Sequence, residues 1–146
     1  MGSQKIKVVF DANIYLSFFL TRGETIAAIF DLWQDGLFDV YASPEIVAEV
    51  HKVSFYPKLE KYFRQDDREK LSLLFDRGVK KIYPVERVSF PPDPDDAIYL
   101  EAAYACKAEY LVSGDKDLLD LQKIDKTIIS SPKDFVAIIK EKENVQ

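Results

Sequence analysis

Short runs of β-branched and apolar residues alternate with segments of helical periodicity along the chain, and this alternation constrains the fold more than any other feature. The predicted strands cover residues 5–10, 39–42, 79–83, 110–112 and 127–129. Strands joined through helices use crossover connections, so they are expected to lie parallel. We therefore predict an α/β fold with three layers, α/β/α, around a central, mostly parallel sheet of five strands.

Capping residues predict where several helices begin and end. Ser43 is followed by a proline. This pair predicts a helix start, because serine caps free amides and proline suits the first helical position. Asp66, with Glu69 three residues later, predicts a capping box that opens a further helix. Gly36 fits the position just past a helix end. The last helix is predicted to run through Ile139.

The length of 146 residues fits one domain, which we place over residues 1–146. Within it, residues 1–4 are interpreted as a cloning remnant and residues 141–146 as a frayed tail. The single cysteine, Cys106, excludes an internal disulfide and a zinc site built on several cysteines. Because the sequence also has no signal peptide and no long apolar run, we expect a cytoplasmic location.

The charge balance is acidic, with a formal net charge of −5 and a sequence pI near 5.0. Such a charge argues against a protein that coats nucleic acid nonspecifically. Cations bound among several carboxylates would offset most of it. The composition is therefore compatible with a nucleic-acid substrate.

Acidic residues stand where predicted strands end. Asp11 follows the first strand immediately, and Asp115 and Asp117 follow the fourth. Asp95 and Asp96 open the helix that leads into the fourth strand. Open parallel sheets bind ligands outside the carboxyl ends of their strands, so these acids are expected to gather at one edge. Each of them alone could equally be a turn residue or a helix cap.

Acids gathered in this way repel one another, which raises their pKa values or destabilises the fold unless cations lie among them. All-oxygen ligation suits Mg²⁺ or Mn²⁺ rather than zinc. His51 is the only histidine, so neither a serine–histidine nor a cysteine–histidine hydrolase can be built. The five glycines form no glycine-rich phosphate loop. A site made of carboxylates is what the sequence favours.

Four stretches of the chain carry a resemblance to a known family. They are VVFDANIYLSFFL, YASPEIVAEV, PPDPDDAIYLEAAYACKAEYLVSGDKDLL and TIISSPKDFVAII. These stretches resemble the PIN-domain nucleases, and within them the toxin-like (VapC-like) branch of bacterial and archaeal toxin–antitoxin pairs. The third stretch is the most specific, because an acidic cluster, an alanine-rich helix, a strand and SGDKDLL follow one another in order.

The resemblance implies which residues form the site. The catalytic and metal-binding acids of the family fall on Asp11, Glu49, Asp96 and Asp115. Asp117 is implied as an outer metal ligand, and Glu45 is a less favoured substitute for Glu49. Three further positions match accessory or supporting polar residues of such sites, namely Asp95, Asn13 and Ser113.

The same resemblance implies a PIN-like fold and a metal-dependent endoribonuclease that uses Mg²⁺ or Mn²⁺ to hydrolyse phosphodiester bonds of single-stranded RNA. It further implies a toxin component with a possible cognate antitoxin. One stretch could hold the RNA backbone and stack its bases, or could simply be a solvated amphipathic face. Its basic and aromatic residues are Lys52, Lys58, Lys61, Arg64, Phe55, Tyr56, Tyr62 and Phe63.

Aromatic residues on the predicted helices suggest an apolar patch that is too large to stay exposed to solvent in a monomer. The residues expected to be exposed there are Trp33, Phe55, Tyr56 and Phe63. A two-fold homodimer would cover such a patch, and the family habit of dimerising points the same way. We therefore expect a homodimer.

Three other interpretations remain open. A haloacid-dehalogenase-like phosphatase would use Asp11 as nucleophile, but it needs an acid two residues later, where this chain has Asn13. A phospho-receiver module needs an acceptor aspartate after the third strand, where Tyr83 and Pro84 stand. A catalytically inactive PIN-like interaction module could dispense with the four acids, all of which are present.

Overall fold

The structure is a computed structural model that describes residues 5–20, 23–88 and 93–145. The interpretation of residues 1–4 as a cloning remnant therefore falls outside the described residues. Part of the proline-rich loop that leads to the acidic cluster, residues 89–92, also lies outside them.

A single mixed sheet forms the centre of the fold, and it contains six strands among the described residues. They are β1 (Ile6–Phe10), β2 (Phe38–Ala42), β3 (Val79–Lys81), β4 (Tyr110–Val112), β5 (Lys123–Ile124) and β6 (Thr127–Ser130). Their order is β3-β2-β1-β4-β6-β5, and all neighbours pair parallel except β5 with β6. The mostly parallel sheet is confirmed, and its predicted count of five is one strand too low.

The extra strand, β5, is a two-residue edge strand that pairs antiparallel with β6 through Ile124 and Thr127. It follows Gln122, whose φ of 63° ends the preceding helix. A strand this short, among charged residues, carries no alternating apolar pattern. Its pairing depends on the neighbouring strand, which is why the sequence did not reveal it.

Helices cover both faces of the sheet and produce the predicted three-layer α/β/α arrangement. They are α1 (Ala12–Leu20), α2 (Glu24–Gln34), α3 (Pro44–Ser54), α4 (Pro57–Glu60), α5 (Gln65–Leu73), α6 (Ala97–Cys106), α7 (Lys116–Leu121) and α8 (Pro132–Val145). A π-helical turn, Leu74–Gly78, extends α5, and a 3₁₀ turn, Pro94–Asp96, precedes α6. Helix α2 packs on α8, whereas α3 packs on α1 and α6. No helix in these ranges is long and apolar enough to cross a membrane.

Two of the predicted helix boundaries agree with the structure and two differ. The Ser43 hydroxyl accepts the Ile46 N–H at 3.2 Å, and Gly36 adopts a φ of +79° after α2. The capping box at Asp66 is wrong, because it is the Asp67 carboxylate that accepts the Arg64 N–H, at 3.1 Å. Helix α8 continues past Ile139 to Val145, and residues 141–144 are exposed along it.

The core is centred on Phe10, the last residue of β1, which is fully buried. Its ring meets five other aromatic rings edge-on at centroid distances of 5.6–6.5 Å. These rings belong to Tyr15, Phe18, Trp33, Phe38 and Phe135, which come from α1, α2, β2 and α8. Since Asp11 is the next residue in the chain, this cluster also anchors the position of that carboxylate.

Two of the four aromatic residues expected at the surface are part of this packing instead. Trp33 is half-buried against Phe10, and Phe63 is 5% exposed and packs on Phe19 at 5.9 Å. Phe55 and Tyr56 are exposed, as expected. Burial was misjudged because Trp33 packs on β1 and Phe63 packs on α1, and residue type alone does not specify these contacts.

Phe10→Ala is expected to destabilise the fold by about 3–5 kcal/mol, because it leaves a cavity among five aromatic rings. Urea unfolding followed by circular dichroism measures this change. Tyr83→Ala is the matched control, since Tyr83 is 66% exposed and its loss should change stability by less than about 0.5 kcal/mol. Equal effects of the two substitutions would contradict the assignment of the core to Phe10.

Candidate functional site

Asp11 marks the point where β1 becomes α1. Its N–H donates to the Val112 carbonyl at 3.1 Å, which extends the β1–β4 ladder by one residue. Its Oδ1 accepts the Ile14 N–H at 3.1 Å and so caps α1. The side chain is only 4% exposed. Asp11 is therefore a helix cap, one of the structural roles considered for it from the sequence. Capping uses only one of its carboxylate oxygens.

Ser113 connects Asp11 to Asp115 at the end of β4. The Ser113 hydroxyl donates to Asp11 Oδ2, and Ser113 Oγ also accepts the Asp115 N–H at 2.9 Å. Asp115 Oδ2 in turn accepts the Leu118 N–H at 3.4 Å and caps α7. Ser113 itself is completely buried. The Ser113 hydroxyl thus joins two acids that follow neighbouring strands, and its role in a functional site stays a prediction.

Asp96 closes the 3₁₀ turn that leads into α6. Asp93 Oδ1 caps this turn by accepting the Asp95 N–H at 2.9 Å. Asp96 is 9% exposed, and its Oδ2 is a buried atom without a hydrogen-bond partner in the described ranges. A buried carboxylate oxygen in this condition is costly unless something else compensates it.

A cavity of about 500 Å³ opens at this edge of the sheet, and it brings the predicted site acids together. Its lining includes Asp11, Glu49, Asp96 and Asp115, the four acids placed there by the sequence. The accessory positions Asn13 and Asp95 also line it. The four strongest candidates therefore share one cavity, although they come from four separate parts of the chain.

Glu49 and Asp117 show how helix geometry decides which acids reach the cavity. Glu49 lies half-buried in the middle of α3 and lines the cavity with Val53, one turn further along the same face. Glu45 is exposed in the first turn and is not part of the lining. Asp117 is exposed in the first turn of α7 and is also absent from the lining. The structure does not bring Asp117 to the other acids.

Tyr99 and Asp93 are among the cavity residues that the sequence interpretation did not single out. Tyr99 is buried, and its hydroxyl oxygen accepts the Ala12 N–H at 3.3 Å. Its position three residues after Asp96 places it on the same side of α6, a signal that could have identified it. Asp93, the first acid of the PDPDD sequence, also lines the cavity. Both belong to segments that the sequence had already marked.

The basic and aromatic stretch contributes only part of its length to the cavity. Tyr56 and Lys58 line it, at the start of α4. Phe55 instead packs under Arg68, whose guanidinium carbon lies 4.1 Å from the ring centre. Tyr62 lies under Lys61, with the ammonium 5.1 Å from the ring centre.

Comparison with known proteins identifies the family of the chain. A sequence profile described as the PIN domain matches residues 7–117, about three quarters of the chain, and the matched range contains Asp11, Glu49, Asp96 and Asp115. The chain belongs to the PIN-domain family. PIN domains are generally nucleases, and the six-stranded fold described above is the form that this PIN domain takes.

Relatives of this PIN domain include an uncharacterized protein of Methanocaldococcus jannaschii. It is 30% identical in an alignment 145 positions long, and the alignment covers 93% of each of the two chains. Among solved structures, the crystal structure of VapBC2 from Rickettsia felis bound to a DNA fragment from their promoter contains a similar chain. That chain superposes with a TM-score of 0.57 at 14% identity, over 86% of this chain and 98% of its own length. At this identity the likeness is one of fold.

The PIN-domain site binds protons more readily than ordinary carboxylates do. Burial raises the pKa of Asp11 to about 6, against the lowering effect of its bonds from Ser113 and Ile14. Burial and the adjacent Asp115 carboxylate raise the pKa of Asp96 to about 7. No cation offsets this charge through an ion pair in the described ranges. The ion pairs found there are Lys80–Asp39, Arg87–Glu101 and Lys116–Asp120.

The chemistry of these residues fits a divalent cation. The donors are carboxylate oxygens, and the unpartnered Oδ2 of Asp96 is the kind of atom that a cation compensates. Across the described residues, no three acidic, cysteine or histidine side chains lie close enough to enclose an ion by themselves. Water or substrate oxygens would therefore complete the coordination, which is usual for Mg²⁺.

The metal-free PIN domain is expected to lose stability as the pH rises from 5 to 7.5. Asp11 and Asp96 have folded pKa values above the ordinary 3.8, so the folded state favours their protonated forms. That contribution is fully present below the ordinary pKa and is lost as the pH passes through about 6 and 7, by an amount on the order of 2 kcal/mol. Urea unfolding in EDTA at the two pH values measures it.

Asp11→Asn and Asp96→Asn should each flatten this pH dependence, because each removes one of the titrating groups. Asp117→Asn is the matched control and should leave it unchanged, since Asp117 lies outside the cavity. A pH dependence that survives both cavity substitutions would show that other groups cause it.

Proposed function

We propose that this PIN domain is a metal-dependent ribonuclease that hydrolyses phosphodiester bonds of single-stranded RNA. The observation that carries the proposal is that Asp11, Glu49, Asp96 and Asp115 meet at one cavity, where none of them forms an ion pair with a protein cation among the described residues. Such a site is suited to holding Mg²⁺ or Mn²⁺ against a phosphate group. The family of nucleases to which the chain belongs supports the same reaction class.

The four acids divide by burial into two pairs with different tasks. Asp11 and Asp96 are the most buried and would hold the cation, with Asp11 kept in place by its bonds from Ser113 and Ile14. Glu49 and Asp115 are less buried, and would complete the ligand set and orient the attacking water. A divalent cation bound there supplies positive charge for the phosphate oxygens and makes water more acidic. Asp117 is left out of this set because it lies outside the cavity.

Asn13 stands at the cavity where a phosphatase of the haloacid-dehalogenase type would need its acid. A carboxamide does not transfer a proton at neutral pH, so the side chain can only donate or accept hydrogen bonds. Asn13 is exposed and is therefore free to contact a phosphate oxygen. Its role in our proposal is to orient substrate rather than to act as an acid.

We further propose that the chain is the toxin of a toxin–antitoxin pair and forms a homodimer. Support comes from the fold likeness to a chain in the VapBC2 structure and from the exposed Phe55, whereas Tyr56 lines the cavity. Trp33 and Phe63 no longer contribute to this argument, since both pack into the domain. The cognate antitoxin and the cytoplasmic location stay predictions.

Purified protein is expected to cleave labelled single-stranded RNA in Mg²⁺ or Mn²⁺ and to stop when EDTA is added. Asp11→Asn removes a charge but keeps the shape and the cap of α1, so the rate should fall about a thousandfold or more while the fold survives. Gel analysis of the RNA products measures the rate, and thermal melting checks the fold.

Asp117→Asn is again the matched control and should cleave at close to the wild-type rate. Release of inorganic phosphate from small phosphomonoesters would instead support a phosphatase. A protein inactive on both substrate classes would be an interaction module. Near-normal cleavage by Asp11→Asn would refute the assignment of the cavity acids.

The homodimer is expected to have a mass twice the 16.8 kDa of the chain at micromolar concentration. Light scattering coupled to size-exclusion chromatography measures it directly. A mass of one chain across that range would rule out a stable homodimer. It would leave the nuclease proposal intact, because the four proposed site acids line a cavity of a single chain.

A further inference from the structure

The acid-lined cavity has a second wall of a different chemical character. This apolar wall is built from residues of α1, of α3 and of α4 with its capping residue. Its members are Leu16, Leu20, Val53, Tyr56 and Leu59. Neither a cation nor a phosphate gains from contact with such a surface, because both prefer polar partners. The wall therefore calls for a different part of the substrate.

Tyr56 is the aromatic residue of this wall, and its ring has space for a partner. It is 39% exposed. In the part of the chain that the structure describes, no ring stacks on it and no cation lies over it, whereas Phe55 and Tyr62 both lie under cationic side chains. Aromatic side chains in this condition are the stacking platforms that proteins use for unpaired bases.

Lys58 adds the charge that a nucleotide needs beside its base. It lines the same cavity two residues after Tyr56, and it is exposed. In the described ranges it forms no ion pair with a protein acid. An ammonium in this position can contact a backbone phosphate while the base lies on the apolar wall.

We propose that the apolar wall is a subsite for one unpaired nucleobase next to the scissile phosphate, with Tyr56 stacking on the base and Lys58 contacting the backbone. The subsite rests on the proposed ribonuclease function, and it explains why the substrate is single-stranded. A base in a duplex is stacked and paired, so it reaches such a pocket only after it has been extruded, at a cost of a few kcal/mol. Strand selection is thus a property of this wall rather than of the acids.

RNA binding is best measured in protein that carries Asp11→Asn, because this variant is expected not to cleave the RNA during the titration. A short fluorescent single-stranded RNA is titrated, and its anisotropy gives the affinity. Adding Tyr56→Ala should weaken binding about tenfold to a hundredfold, the usual loss when one base–aromatic stack is removed. Tyr56→Phe should keep the affinity, because it keeps the ring. Lys58→Ala should weaken binding and reduce its dependence on salt.

Matched controls for both substitutions lie in the same stretch. Tyr62→Ala and Lys61→Ala remove an exposed tyrosine and an exposed lysine that do not line the cavity, and should leave the affinity unchanged. For an RNA duplex of the same sequence, Tyr56→Ala should have no effect. The Mg²⁺-induced rise in melting temperature should be the same for wild-type protein and for the Tyr56→Ala variant, which would show that the acids are undisturbed.

The two proposals fail in different ways. If wild-type protein cleaves RNA but Tyr56→Ala binds it as tightly as Tyr62→Ala does, the base subsite is wrong and the ribonuclease stands. If wild-type protein does not cleave RNA, the ribonuclease proposal fails, and a selective loss of binding in Tyr56→Ala would still support the subsite. Equal weakening by Tyr56→Ala and Tyr56→Phe would also overturn the subsite, since stacking requires only the ring.

Discussion

The parallel pairing of β1 with β4 is the interaction on which the rest of the molecule depends. The ladder ends with the bond from the Asp11 N–H to Val112, and the Ser113 hydroxyl then joins Asp11 to the backbone of Asp115. Both acids begin helices at this point, α1 and α7. Helix α6 leads into β4 through a short connection, so the N-terminal end of the helix lies beside the carboxyl end of the strand. Asp96, just before α6, is therefore brought to the same place. Only Glu49 arrives independently, from the middle of α3. Strand pairing thus positions most of the site before any ligand is considered.

Two buried acids of α6 and its preceding turn show what distinguishes a structural carboxylate from a functional one. Glu101 is 7% exposed, and its oxygens accept bonds from Arg87 at 3.2 Å and from the Val88 N–H at 3.0 Å. Asp96 is about equally buried, yet one of its oxygens has no partner among the described residues and its neighbours are other acids. Burial of an acid is therefore ordinary when a cation and an amide balance it. The cavity acids lack that balance, and a protein keeps such a cost where function requires it.

The sequence predicted the acids at strand ends because parallel strands place their carboxyl ends at one edge of the sheet. Glu49 came from the family resemblance alone, since nothing in the periodicity of α3 separates it from Glu45. Tyr99 and Asp93 were missed, although both lie in segments that the sequence had singled out. The errors elsewhere have two causes. Strand β5 pairs with the adjacent β6, but its two residues are too few to show an alternating pattern. The burial of Phe63 depends on Phe19, which is distant in sequence, and local patterns carry no information about that contact.

The order of the strands also determines when the site comes into existence. Strand β4 lies between β1 and β6 in the sheet, but Ser113 follows Asp11 by 102 positions in the chain. A chain emerging from the ribosome presents Asp11 and Glu49 early, and Asp96 later, with no strand to hold them together. The full set of acids meets only when the segment through Asp115 is free to insert beside β1. A nuclease of this topology is therefore latent until its fourth strand has been synthesised and has paired with the first.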